Sequence, residues 1–210
     1  MKKSNQNGFT IIEVLIASLV FTTILLLCME GITRIAKVYV KNSSTTKTSE
    51  FVKSFVEEIA QQVRYSTVTP GYSGTNPVFI CVSGKGYKIE INKADTDPAV
   101  NPIIKINDPG CSFYSDPTKY TVVANSPEPV APSGMRVLKF SLIKTVETGQ
   151  LWQIDMRVAL GPKDLLIDSA NRLLTDPLSN PATANCTSGV AGSEFCSVIN
   201  ISTTVSRRML

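Results

Sequence analysis

The sequence predicts an α+β fold: a long N-terminal helix, membrane-spanning over its first half, packs on an antiparallel β-sheet, and a disulfide staples a C-terminal loop. Three features of the 210-residue chain support this prediction. An apolar segment near the N-terminus continues into a pattern of helical spacing, alternating segments typical of strands follow it, and four of the five cysteines lie beyond the helix. A chain of this length holds one globular domain with an appendage.

The N-terminal segment is predicted to cross a membrane once. Residues 9–29 read FTIIEVLIASLVFTTILLLCM, close to the ~20 apolar residues that a bilayer-spanning helix needs. Lys2 and Lys3 precede this segment, and basic residues favour the cytoplasmic side. A signal peptide is disfavoured because the apolar run is longer than about 7–15 residues and no A-x-A-like site follows. We expect the N-terminus in the cytoplasm and the chain beyond Met29 outside.

Glu13 is the one acidic residue inside the apolar run. A carboxylate at bilayer depth is costly unless it has a partner, and no lysine or arginine lies within reach on the same helix. Its partner then comes from another molecule, or the carboxyl group is protonated. A tolerated polar residue near the interface is the equal alternative, since Glu13 lies about one helical turn into the segment.

Residues 30–69 are predicted to continue the helix in amphipathic form. Residues 42–50 (NSSTTKTSE) are polar and rich in poor helix formers, so they form a kink, a local melt or a solvated stretch of helix. Residues 51–63 carry an apolar face suited to packing on a sheet, and Pro70-Gly71 marks the stop. That face repeats every four residues with apolar flanks: Phe51, Phe55, Ile59, Val63, Val52, Val56 and Ala60.

Beyond Pro70 the chain reads as strands and loops. The clearest hairpin joins residues 135–146 to residues 150–160, turning at Glu147-Thr148-Gly149, and its second strand alternates between wet and buried positions. Residues 164–174 (DLLIDSANRLL) are predicted to form a short helix. The other predicted strands are residues 78–82, 87–91, 103–106, 120–124 and 195–207, with a Ser83-Gly84-Lys85-Gly86 turn between the first two.

The cysteines indicate two disulfides in an oxidising compartment. Cys28 lies in the apolar segment, and the four outer cysteines allow three pairings. The short Gly/Ser loop between Cys186 and Cys196 favours their pairing, which leaves Cys81 with Cys111.

A zinc site is disfavoured because the chain has no C-x-x-C motif and no histidine. Calcium is the other candidate, but the EF-hand pattern is absent and solvated turns are the favoured interpretation of the loop acids Asp95, Asp97, Asp108 and Asp116.

Composition argues against several functions. The absence of histidine excludes Ser-His and Cys-His catalysis, and no motif such as G-x-S-x-G orders the serines and acids. We predict that the protein is not an enzyme and has no catalytic residue, metal or cofactor. The net charge of +4 forms no long basic stripe, so nucleic-acid binding is possible but not indicated.

Residues 8–17, Gly-Phe-Thr-Ile-Ile-Glu-Val-Leu-Ile-Ala, closely resemble the processing motif of type IV prepilins and type II secretion pseudopilins. The resemblance implies that a prepilin peptidase cuts after Gly8 and methylates Phe9. It also implies that the Phe9 amine of one subunit approaches the Glu13 carboxylate of its neighbour during assembly. The partners it implies are other pilin subunits, the prepilin peptidase, an inner-membrane assembly platform and the lipid bilayer.

The resemblance further implies residence in the bacterial cytoplasmic (inner) membrane, and at the cell surface or in the periplasm after filament assembly.

The long, loop-rich distal region loosely resembles minor pilins of the W and J types, so we expect a minor pilin or pseudopilin. One alternative is a filament-displayed adhesin or DNA- or substrate-binding subunit whose head loops, residues 94–132, carry the activity; another is a membrane-anchored enzyme or receptor that merely shares the helix. The expected regions are the leader (1–8), the filament-core helix (9–29), its amphipathic continuation (30–69) and the head domain (70–210).

Overall fold

The computed structural model describes residues 10–66, 70–93, 102–107, 128–129, 131, 134–145 and 150–208. They form an α+β fold with one long helix and three antiparallel sheets. The chain divides into two compact units, Met1–Val40 and Lys41–Leu210. The predicted fold class is therefore confirmed, although three sheets are present where one was expected.

Helix α1 spans Ile11–Tyr65. The polar residues 42–50 are helical throughout, so the local melt is wrong and the helix continues through this stretch. Thr45 Oγ1 donates to the Lys41 carbonyl at 2.9 Å and Thr48 Oγ1 donates to the Ser44 carbonyl at 2.8 Å. Such bonds satisfy the side chains on the helix itself.

The C-terminal part of α1 buries the apolar face that the four-residue spacing predicted. Val52, Ile59 and Val63 are fully buried, Phe55 is nearly so, and Phe51 is half-buried at the edge of the core. This face contributes to one hydrophobic cluster with both larger sheets. Burial of a side chain of this size contributes about 1.5–3 kcal/mol, so the helix face is a main source of stability.

The five-stranded sheet is an antiparallel meander of order β1-β2-β3-β4-β5. The turn between β2 and β3 is two residues long, Ser83-Gly84, with φ of 53° and 76°. Two positive φ values suit the tight primed turns of hairpins, so β3 starts two residues earlier than the four-residue turn predicted. The strands are β1 Gly71–Ser73, β2 Val78–Val82, β3 Lys85–Ile89, β4 Ile103–Asn107 and β5 Glu128–Pro129.

Glu58 ties α1 to this sheet. Its Oε1 accepts hydrogen bonds from Tyr87 Oη at 2.9 Å and Lys105 Nζ at 3.0 Å, and from Gln62 Nε2 on the same helix at 3.2 Å. Partial burial alone would raise the pKa of Glu58, but the bonds from Lys105 and Tyr87 outweigh it and hold that pKa below its usual value. The carboxylate therefore joins the helix to strands β3 and β4.

The three-stranded sheet has the order β10-β7-β6, with β6 at Met135–Lys144, β7 at Leu151–Leu160 and β10 at Ser197–Ser206. The predicted hairpin and closing strand are confirmed, while the predicted turn at residues 147–149 and the strand at 120–124 lie outside the described residues. Trp152, Ile154, Met156 and Val158 are buried as the alternation predicted. The alternation ends at Ala159, which is buried because a second hydrophobic cluster covers the other face of the sheet there.

Residues 161–196 form that cover, and the helix predicted at residues 164–174 is wrong. A single 3-10 turn at Lys163–Leu165 leads into the two-residue strand β8, Leu166–Ile167, which pairs with β9, Asn185–Cys186. Leu165, Leu166 and Leu174 are buried against Leu138 and Ala159 of the three-stranded sheet. These leucines therefore serve to pack the segment on a sheet face.

Asp168 explains why the helix does not form. Its side chain is fully buried and accepts backbone N–H bonds from Ala170 at 2.9 Å, Arg172 at 2.9 Å and Asn180 at 3.1 Å. The Arg172 guanidinium forms an ion pair with the same carboxylate at 3.0 Å. A side chain that bonds nearby backbone in this way competes with helical hydrogen bonding. The Arg172 backbone N–H lowers the pKa of Asp168 most; burial opposes it, and the remaining donors help to bring the pKa to about 2.

The disulfide between Cys186 and Cys196 is confirmed, and it closes the loop that precedes β10. Cys81 is also disulfide-bonded. Its predicted partner, Cys111, lies outside the described residues, so that pairing stays a prediction. Cys28 is a free, exposed thiol on α1.

Candidate processing and assembly site

Glu13 lies in the first turn of α1 and is bonded within its own chain. Glu13 Oε2 accepts hydrogen bonds from the Thr10 backbone N–H and from Thr10 Oγ1, each at 2.9 Å. Thr10 Oγ1 in turn accepts from the Glu13 N–H at 3.4 Å. This reciprocal arrangement is a capping box, in which Thr10 is the N-cap and Glu13 the third helical residue. The carboxylate therefore caps the helix, and the two neutral donors of Thr10 offset part of the cost of removing it from water.

This geometry gives Glu13 a partner that the sequence analysis did not consider. Thr10 supplies two donors within the chain, and the T-x-x-E spacing is the signal that could have revealed them. A partner from another molecule stays a prediction. Among the described residues, Glu13 Oε1 accepts no hydrogen bond, so the capping box leaves one carboxylate oxygen for a further donor.

The other polar side chains of the apolar segment are satisfied along the helix. Ser18 Oγ donates to the Leu15 carbonyl at 2.9 Å, and Thr23 Oγ1 donates to the Val20 carbonyl at 2.8 Å. Such bonds lower the cost of a hydroxyl in a lipid environment. Glu13 is thus the one ionisable acid in an otherwise apolar or internally bonded stretch, residues 10–29.

The apolar surface of α1 is uncovered in the single chain. Every residue from 10 to 39 is exposed except the half-buried Gly31. Helix α1 is long and apolar enough to cross a membrane, with a mean hydropathy of 2.6 over its most apolar window. Soluble proteins rarely expose a contiguous apolar surface of this kind, which usually marks a membrane or protein contact. The large apolar side chains involved are Ile11, Ile12, Val14, Leu15, Ile16, Leu19, Val20, Phe21, Ile24, Leu25, Leu26, Leu27 and Met29.

The predicted processing residues Gly8 and Phe9 lie outside the described residues, as do the loop acids Asp95, Asp97, Asp108 and Asp116. The structure therefore describes Glu13, the predicted assembly residue, but neither side of the predicted cleavage bond. Within the described part of the chain, no group of three or more histidine, cysteine, aspartate or glutamate residues is placed to hold a metal ion.

One family model matches the chain. It is described as the prokaryotic N-terminal methylation motif and covers residues 3–29. No curated protein and no solved structure matches the chain. The chain therefore carries the prepilin-type methylation motif, which supports a type IV pilin-like prepilin, anchored in a membrane by its apolar helix and processed by a prepilin peptidase.

Proposed function

We propose that the protein is a structural subunit of a type IV pilus-like filament, assembled through α1 after cleavage between Gly8 and Phe9. One observation carries this proposal: the methylation motif at residues 3–29 coincides with an apolar stretch of helix, residues 10–29, that is exposed throughout in the single chain. In the membrane lipid covers that surface, and in a filament the helices of neighbouring subunits cover it.

Cleavage supplies a charged donor for Glu13 Oε1, the carboxylate oxygen that Thr10 does not bond. Removal of residues 1–8 creates an amine on Phe9, which is positively charged whether or not it carries a methyl group. An amine and a carboxylate that both leave water offset each other's desolvation when their geometry is correct. The free Glu13 Oε1 accepts this amine from a neighbouring subunit while Thr10 keeps Oε2. Such a pair sets the axial stagger between helices, as buried polar residues set register in coiled coils.

Within this class we propose a minor pilin or pseudopilin, because the distal sequence after the helix is long and loop-rich. The C-terminal unit closes both faces of its three-stranded sheet, one with α1 and the other with the disulfide-bonded segment 161–196. A head of this kind remains folded while its helix moves from bilayer to filament. The boundaries that we propose are 1–8 for the leader, 9–29 for the filament-core helix, 30–69 for its continuation and 70–210 for the head.

The test compares Glu13→Ala with the matched control Glu30→Ala. Both remove one acid from α1, but Glu30 lies beyond the apolar segment and forms only an exposed ion pair with Arg34. We expect both variants to be cleaved and inserted normally. Only Glu13→Ala is expected to disappear from filaments sheared off the cells, measured by immunoblot against the total protein.

Normal incorporation of Glu13→Ala would contradict the assembly role of Glu13. Equal loss of both variants would show that the assay reports general damage to the helix, and it would remove the support for a specific carboxylate contact.

A further inference from the structure

The stretch of α1 after the apolar segment, residues 30–41, has two different sides. Arg34, Lys37 and Lys41 are spaced three and four residues apart, which places them on one side of a helix. Ile32, Ile35 and Tyr39 fall on the opposite side and are exposed. An amphipathic helix with basic residues on one side and apolar residues on the other is typical of segments at a membrane surface.

Two of the three bases, Lys37 and Lys41, lack an acidic partner. Glu30 is the only acidic residue between positions 14 and 49, and its carboxylate pairs with Arg34. Among the described residues, Lys37 and Lys41 form no ion pair. Like charges four residues apart destabilise a helix, so this row of bases is unfavourable until an anion approaches it.

The distance from the membrane is suitable for lipid headgroups. If the apolar segment ends at Met29, a rise of about 1.5 Å per residue puts Lys37 about 12 Å and Lys41 about 18 Å beyond the hydrocarbon. The headgroup layer adds about 5–8 Å on each side, and charges act over a Debye length of about 8–10 Å. Long lysine side chains also reach back toward the interface.

The number of bases makes their position notable. The three bases of this stretch outnumber Lys2 and Lys3 of the leader, although basic residues usually concentrate on the cytoplasmic side. Their predicted place on the outer side therefore departs from the usual distribution of bases.

We propose that Arg34, Lys37 and Lys41 form a docking surface for anionic phospholipid headgroups on the outer side of the membrane. The surface holds the inserted subunit at a fixed depth before assembly. This inference rests on the proposed membrane insertion of residues 9–29, and charge complementarity selects anionic over zwitterionic lipid. Attraction of this kind amounts to about a fivefold preference for each base near the surface.

The test uses the full-length protein in phosphatidylcholine vesicles with spin-labelled phosphatidylglycerol or spin-labelled phosphatidylcholine as the probe. The ratio of their association constants measures anionic preference. We expect Lys37→Gln with Lys41→Gln to lower the ratio about fivefold or more. The matched control, Lys47→Gln with Lys53→Gln, removes the same charge from exposed positions farther along the chain. We expect it to leave the ratio within about twofold, and 0.5 M salt to abolish the preference of the unmodified protein.

Equal ratios for the unmodified protein and both variants would overturn the proposal, and so would an equal fall in both variants, which would indicate a net-charge effect. Insertion is measured separately by resistance to carbonate extraction. Failure to insert would contradict the proposed function itself, whereas insertion without anionic preference would contradict only this inference.

Discussion

At the scale of single residues, Glu13 and Thr10 show how far sequence reasoning reaches. Glu13 stood out because an acid inside an apolar run is costly, and that argument needs only composition. The composition argument does not predict the reciprocal bonds with Thr10, although T-x-x-E is their sequence signature. A capping box depends on where the helix begins, and helix boundaries are less certain from sequence than helix existence.

Asp168 is the residue that sequence reasoning misjudged most. It lies in residues 164–174, which the sequence predicts to form a short helix. Its carboxylate instead organises the segment by collecting three backbone N–H groups and one guanidinium. The donors on Ala170 and Arg172 are local, but the Asn180 N–H is twelve residues away, and the burial of the carboxylate depends on the tertiary path of the chain.

Asp168 gives a pH prediction. Its folded-state pKa of about 2 is below the ~3.9 expected in the unfolded chain. A lowered folded-state pKa contributes stability that is complete above about pH 4 and is lost as pH falls toward 2. We expect Asp168→Asn to lower the thermal unfolding midpoint of the full chain in detergent at pH 6. The difference in unfolding midpoint between the unmodified protein and the variant should narrow between pH 4 and 2.

Other carboxyl groups titrate in both proteins, so the difference between them isolates Asp168. A gap that stays constant down to pH 2, or no gap at pH 6, would contradict the role assigned to this carboxylate.

At the scale of elements, regular patterns were predicted well. The four-residue repeat of the helix face and the two-residue alternation of β7 each matched a buried surface. Polar residues 42–50 were harder, because serine and threonine are poor helix formers in isolation. Thr48 is nevertheless fully buried and bonds Ser197 of β10 at 3.1 Å, so a tertiary contact supports helix there.

The helix face gives a stability prediction. Ile59 is fully buried in the cluster that joins α1 to both larger sheets. We expect Ile59→Ala to lower the free energy of unfolding of the full chain by about 3 kcal/mol, the usual cost of such a cavity. Chemical denaturation followed by Trp152 fluorescence measures this, since Trp152 belongs to the same cluster.

Gln61→Ala is the control, because Gln61 is exposed on the same helix and its replacement should change the free energy by less than about 0.5 kcal/mol. Similar losses for both variants would contradict the assignment of the buried face.

At the scale of the whole molecule, the N-terminal and C-terminal parts of the chain differ in how far sequence identifies them. The N-terminal residues carry a specific motif that a family model recognises, whereas residues 30–210 lie outside that match. For the C-terminal unit, hydrophobic pattern and cysteine spacing predicted strands and two disulfides, of which Cys186–Cys196 is confirmed. They did not predict that segment 161–196 covers the second face of the three-stranded sheet, because coverage by a loop-rich segment leaves no periodic signal.

The central claim is that the chain is a prepilin, processed between Gly8 and Phe9. Intact mass spectrometry of the membrane-extracted protein tests it most directly, in a bacterial host with an active prepilin peptidase. We predict a mass that lacks residues 1–8 and carries one added methyl group on the new N-terminal residue. A full-length, unmethylated mass from the same cells would contradict the claim and leave Glu13 as the acid of a capping box with no role in assembly.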